Sequence, residues 1–422
     1  MKIVITEGGS TTNIGSAALI ENAIKIALKN YPNCKITVLC QQPLLVKEFV
    51  DNDVHVAPDL FIVPKVNKKN FILWLIEFLI WLIFYKLVSS FTNKPAKYMF
   101  GQKKQTLHLI QDADFIYCIG AERINDIYYK TAYMSLLALS IYQRLDKRLI
   151  HLSLTIGPIF YKSTISKTKK VLNNSYAIFV RDNKSFELLK ELKIEKPKIY
   201  NSYDIALLQQ HGELNEMRKK LVNKGIDMNK PIVGVSALYW KLLNEKGKIQ
   251  QTGYNEALAE ALDYLISHYN YQILFTPTVV NGQINDDVHI SYKIFERMKE
   301  KRNTYIIDEL LTPKQLSSVF FMTRFSIVTR MHAAILCSSA GEKPIISINY
   351  LYKLREYMKN IDFDDYSIDI DKTNAKDLIT LIEKMEVNYA TNKNKLNRRM
   401  NEIQSKLMLD IDELVIQNNN KF

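Results

Sequence analysis

Cysteine is scarce in this chain of 422 residues: the four thiols Cys34, Cys40, Cys118 and Cys337 stand far apart, inside apolar runs. No C-x-x-C pair and no Cys/His ligand spacing exists. That excludes a zinc module and a disulfide framework, and predicts buried thiols in a reducing compartment; no cofactor is expected, and nothing requires a metal. Met1 is followed at once by the strand-like run KIVIT, with neither an apolar h-region nor a cleavage site, so no secretory leader is expected. There is no internal repeat and no complete G-x-G-x-x-G. Acidic residues are in deficit, 44 against 57 Lys and Arg, for a formal charge of +13. The imbalance points to anionic partners. Its lysines are scattered rather than interleaved with aromatics, which argues against nucleic acid.

What is present is the composition of a folded protein, 47% hydrophobic and 24% charged, with enough chain for two domains. Apolar runs too short for helices recur at 2–6, 35–39, 114–120, 148–154 and 177–181, then at 231–236, 271–277, 303–308, 324–329 and 344–349. Helical periodicity separates many of them, as at Ile20, Ile24, Ala27, Leu28 and Tyr31. Strand alternating with helix predicts α/β architecture: two Rossmann-like domains with parallel sheets and a cleft between them. The expected division is residues 1–208 and residues 209–422, the latter with a charged helical tail from Asn374.

Residues 71–88, FILWLIEFLIWLIFYKLV, break the pattern with only Glu77 and Lys86 as charges. Lysines 65, 68 and 69 precede the run, and 94, 97, 103 and 104 follow it. A spanning helix needs ~20 apolar residues, and a single span would divide one sheet across the membrane. The run reads better as an insertion in the membrane interface, held by Trp74, Trp81 and the lysines. A buried core helix or an oligomer contact is the alternative.

Ligands of open α/β sheets bind beyond the carboxyl ends of the strands, and isolated cations fall there. Arg181 ends AIFVR, with Asp182 as a helix cap. Arg330 ends FSIVT, His332 opens the next helix, and Lys353 follows PIISIN. Together they suit an anionic ligand. Gly8-Gly9 with Asn13-x-Gly15 could form a phosphate-binding turn. Asp286-Asp287 could bind metal, supply a base or simply keep a loop in water.

The ensemble resembles the polysaccharide pyruvyl transferase family. The resemblance rests on GG-x4-N-x-G near the start, FVRDNKSFELLKELKI, YDIAL, the DD loop, and above all TRMHAAILCSSAGEKPIISINYLYK. It implies a GT-B-like fold and an enzyme that transfers pyruvate from phosphoenolpyruvate to sugar hydroxyls as a ketal. The donor-binding positions it implies are Arg181, Arg330 and Lys353, with His332 as catalytic acid. Asp286 or Asp126 would take the hydroxyl proton, and Gly8, Gly9, Asn13, Gly15 and Asn125 would serve the acceptor or a phosphate turn. Ser16 replaces an acidic residue of the usual pattern, and Gly120-Ala121-Glu122 stands where a glycine-rich turn is usual. The expected partners are phosphoenolpyruvate, a saccharide acceptor carried on an undecaprenyl-type lipid, and the cytoplasmic face of the plasma membrane. A GT-B glycosyltransferase using a nucleotide-sugar donor is the rival.

Overall fold

The computed structural model describes residues 1–64, 68–239, 248–283 and 286–419. The apolar runs assemble into two wholly parallel sheets. The first contains β1 (Lys2–Gly8), β2 (Lys35–Cys40), β3 (His55–Pro58), β4 (Phe115–Cys118), β5 (Arg148–Leu154), β6 (Ala177–Val180) and β7 (Lys198–Asn201), ordered β3-β2-β1-β4-β5-β6-β7. The second contains β8 (Ile232–Ser236), β9 (Gln272–Phe275), β10 (Thr304–Ile306), β11 (Phe325–Val328), β12 (Ile345–Asn349) and β13 (Ser367–Asp369), ordered β10-β9-β8-β11-β12-β13. Central strands such as FIYC, AIFV and FSIV are buried at every residue. Helices cover both faces of a parallel sheet, so its strands read as continuous apolar runs. Strand order reverses between β1 and β4 and between β8 and β11, which puts a topological switch point in each sheet.

Two compact units emerge, one around each sheet. The first comprises Met1–Ser10, Leu19–Asp204 and Leu409–Phe422; the second comprises Thr11–Ala18 and Ile205–Met408. A single cut near residue 208 therefore misassigns two segments. Thr11–Ala18 belongs with the second sheet, and the end of the Tyr389–Asn419 helix belongs with the first. Asp412 pairs with Lys29 at 3.2 Å, Glu413 pairs with Lys198, and Asp410 accepts the Ser202 hydroxyl at 2.7 Å.

The apolar insertion is one helix, Lys68–Phe91. Phe78, Trp81 and Tyr85, at i, i+3 and i+7, form a stripe buried in the core of the first unit. Phe61 meets Phe78 and Trp81 edge-on, with ring centroids 5.0 and 5.6 Å away. This corrects the expectation for Trp81, which is a core residue and not an interface anchor; Trp74 is half-buried, stacked on Phe78. The other faces are bare: Leu73, Ile80, Ile83 and Phe91 are 58, 56, 70 and 83% exposed. Residues 69–91 are long and apolar enough to cross a membrane. However, β3 before the helix and β4 after it lie in one sheet, so a single crossing would split that sheet. Lys65 lies outside the described residues.

Candidate functional site

In the second unit, the residues after β11 form a polar cluster with the loop after β9. Arg330 is the N-cap of the Met331–Ser338 helix. Its Nε and Nη2 donate to Asp287 Oδ1 at 3.1 and 2.6 Å. Asp287 is fully buried, and its Oδ2 accepts the backbone N–H groups of Thr278 and Val279 at 3.0 and 2.9 Å. Burial works against the Arg330 charge, but Asp287 and Tyr350 more than offset it and hold its pKa above the usual arginine value. The Arg330 side chain is 18% exposed, and its guanidinium is fixed in direction by Asp287.

His332 lies one helical residue further on, against Gly15. A methyl group on Gly15 would overlap the imidazole ring. The segment carrying Gly15 is tied to the loop after β9: Ile14 N–H donates to Thr278 O at 2.8 Å, Val280 N–H to Thr12 O at 2.9 Å, and Asn13 bridges Val279. Asn13 Oδ1 accepts the Gly15 N–H at 3.0 Å and so shapes the helix start. Asn13 and Gly15, expected on the acceptor side, thus belong to the same unit as Arg330 and His332. Lys353 is in the first turn of the Tyr352–Asn360 helix, just past β12, which pairs directly with β11. Both connections leave the same sheet edge. Lys353 is buried, and burial lowers its pKa to about 8.

Asp286 is a cap rather than a base. Its Oδ1 accepts Val288 N–H at 2.8 Å, and its Oδ2 accepts those of Asn281 and Gly282 at 2.7 and 2.6 Å, so both oxygens are committed to backbone. Arg181, expected on the donor, is in the first unit and 5% exposed. Its Nη1 pairs with Asp204 and its Nε donates to Thr155 Oγ1 at 2.8 Å. Buried in this way, Arg181 holds the core together. Arg181→Met is therefore expected to destabilise the fold by about 3–5 kcal/mol, because Asp204 stays behind unpaired. Urea unfolding measures this, and donor affinity of the folded variant should be unchanged.

Asn125 and Asp126 also build a loop in the first unit. Asn125 accepts Ile127 N–H at 2.8 Å, while Asp126 Oδ2 accepts Phe160 and Tyr161 N–H at 2.5 and 2.8 Å. Gly8 is closely packed, since a methyl there would lie 3.1 Å from Cys40 Cβ. Gly9 directly follows β1 and is half-buried.

The sequence reading overlooked a second polar site in the first unit. A cavity of about 250 Å³ opens at the carboxyl ends of β1 and β3, by the β1/β4 switch point, lined by Glu7, Asp59, Arg123, Ser135 and Tyr142 among others. Glu7 has φ of +65°, a left-handed conformation that costs a non-glycine residue ~1–3 kcal/mol and tends to persist at functional sites. Ser135 donates to its Oε1. Burial, with help from the Asp59 charge and against Arg123, raises the Glu7 pKa to about 7. Burial likewise raises that of Asp59, which Arg123 at 3.8 Å lowers in part; its Oδ1 has no hydrogen-bond partner among the described residues. Gly120 leaves room for Glu7, as a Cβ there would come within 2.5 Å of Oε2. An acid ending the strand KIVIT, just before two glycines, was the available signal.

Two doubly wound parallel sheets in separate units define the GT-B-like class. Solved structures agree: a glycosyltransferase from Rickettsia africae ESF-5 (TM-score 0.59, 14% identity, covering 99% of this chain and 97% of that one) has this fold. So does Anabaena Alr3699/HepE in complex with UDP-glucose (TM-score 0.57, 13% identity, all of both chains). Sucrose-phosphate synthase from Thermosynechococcus elongatus is similar at TM-score 0.57 and 9% identity, covering all of this chain and 98% of that one. The family model for polysaccharide pyruvyl transferase matches residues 13–352. The chain belongs to that family and is a transferase.

Proposed function

We propose that the protein transfers pyruvate from phosphoenolpyruvate to two hydroxyls of a lipid-linked saccharide, forming a ketal at the cytoplasmic face of the membrane. The observation that carries this reading is the cluster in the second unit, where Asp287 orients Arg330, Gly15 seats His332, and Lys353 leaves the neighbouring strand. A phosphate and a carboxylate on a three-carbon frame need such a set: a forked donor, a point charge and a proton source. Arg330 and Lys353 hold the two anionic groups. The first sugar hydroxyl adds to C2 while His332 protonates C3, and the proton lost by the hydroxyl balances the one C3 gains. The second hydroxyl then displaces phosphate, the C2–O bond to phosphorus-bound oxygen breaks, and its proton leaves with inorganic phosphate.

The cavity around Glu7 and Asp59 suits the acceptor. Two carboxyl groups, held toward their neutral form by burial, and one guanidinium can exchange hydrogen bonds with the hydroxyls of a sugar. Its size is on the scale of one sugar ring, not of a polymer.

Lys353 makes donor binding depend on pH. It is charged below about 8 and loses its proton as pH rises through that value. Affinity for phosphoenolpyruvate, already fully ionised there, is expected to fall across that range. Lys353→Arg, which keeps its charge, should flatten the profile in a calorimetric titration.

The reaction is tested by incubating the purified protein with phosphoenolpyruvate and a membrane saccharide extract, reading phosphate release and the ketal by mass spectrometry. Stabilisation by UDP-sugars but not by phosphoenolpyruvate, with no ketal, would overturn the reading in favour of a glycosyltransferase.

A further inference from the structure

The amino-terminal edge of the first sheet, opposite the Glu7 cavity, carries a groove of about 990 Å³. Asp114 precedes β4, Lys147 precedes and Arg148 opens β5, and Tyr176 precedes β6. Six cations line it, Lys86, Arg144, Lys147, Arg148, Lys167 and Lys170, against two acids, Asp114 and Asp146. Lys86, Arg144, Lys167 and Lys170 form no ion pair with an acid among the described residues. Burial lowers the pKa of Lys167, and the charges of Lys170 and Arg144 lower it further, as expected of cations gathered without a counter-ion. Lys147 is lowered by burial too, despite Asp114, Asp112 and Asp146 nearby. The Tyr85 hydroxyl, on a residue only 2% exposed, has no hydrogen-bond partner among the described residues.

One wall of the groove is the apolar helix Lys68–Phe91 itself, through Leu82, Tyr85 and Lys86. The adjoining stripe, Ile76, Leu79, Ile80, Ile83 and Leu87, is 48 to 70% exposed. A basic groove thus runs directly into a bare hydrocarbon face. A free anion or a nucleic acid would leave that face in water, whereas a lipid surface covers both parts.

We propose that this groove binds the anionic headgroups of a membrane, with the Ile76–Leu87 stripe in the adjoining acyl layer. The inference rests on the membrane-surface reading above and deepens it by assigning the lipid charge and the residues that read it. It leaves the donor cluster untouched, since none of the groove residues belongs to it.

The test is flotation of the purified full chain with phosphatidylcholine vesicles, with and without phosphatidylglycerol. The wild type should prefer the anionic vesicles. Lys167→Glu/Lys170→Glu should weaken that binding by at least about 25-fold, from roughly fivefold per surface cation removed. Its binding to neutral vesicles and its unfolding midpoint should stay as in the wild type. Ile80→Asp/Ile83→Asp should lose binding to both vesicles. If the charge-reversed variant floats like the wild type, the groove assignment fails while the membrane reading stands. If the wild type floats with neither vesicle, both fail. If inorganic phosphate releases the protein where chloride of equal ionic strength does not, the groove is a free-phosphate pocket and the lipid assignment is overturned.

Discussion

Replacing His332 by glutamine is expected to reduce turnover by about 10²–10⁴-fold, the usual contribution of a positioned general acid, with little change in affinity for phosphoenolpyruvate. Glutamine keeps a hydrogen-bonding end but cannot deliver a proton to carbon. Arg330→Ala should behave in the opposite way if, as proposed, the forked donor holds the ground-state anion. It also leaves Asp287 buried without its partner, so its unfolding midpoint should fall as well. Calorimetry for binding and phosphate release for turnover separate the two effects. Normal turnover by the His332→Gln protein would remove His332 from the chemistry.

Gly15→Ala should be nearly as damaging, although neither residue is polar. Gly15 is the second residue of the Ile14–Asn30 helix, where alanine would ordinarily be favoured by roughly 1 kcal/mol. Here the added methyl occupies the space of the His332 ring. The ring can rotate away more cheaply than the backbone can move, so the fold should survive with its acid displaced. A misplacement of about 1 Å can cost roughly 10²-fold in rate. The expected result is a soluble protein with a near-normal unfolding midpoint and severely reduced turnover. A fully active Gly15→Ala protein would mean that the close packing on His332 has no catalytic consequence.

Much of the fold could be read from the chain because parallel strands covered on both faces announce themselves. IVI at 3–5, FSIV at 325–328 and IISIN at 345–349 are uninterrupted apolar runs bounded by polar turns. HVAP, KIYN and SID escaped notice because they are edge strands, short and partly exposed, with polar residues among the apolar ones. The site divided along similar lines. Arg330, His332 and Lys353 stood out as candidates because a cation at a strand end breaks an apolar pattern. Arg181 has the same local signature, yet its partner Asp204 lies 23 residues away and turns it into the core. Periodicity cannot report a contact at that separation. Glu7 was hidden for a different reason: its conformation and burial, not its neighbours in sequence, make it unusual. Trp81 misled because an aromatic in a greasy run looks the same whether lipid or protein covers it.

The eight residues Thr11–Ala18 also bear on how this enzyme can be taken apart. A second half begun at residue 205 would retain Arg330, His332 and Lys353 in sequence but lack Asn13, which bridges Val279, and the glycine that seats the imidazole. Exchange of halves between relatives at one crossover would therefore mate each histidine with a foreign seat. Recombinants should tolerate a junction near 205 only when the short amino-terminal stretch travels with the second half, so the heritable module is discontinuous along the gene.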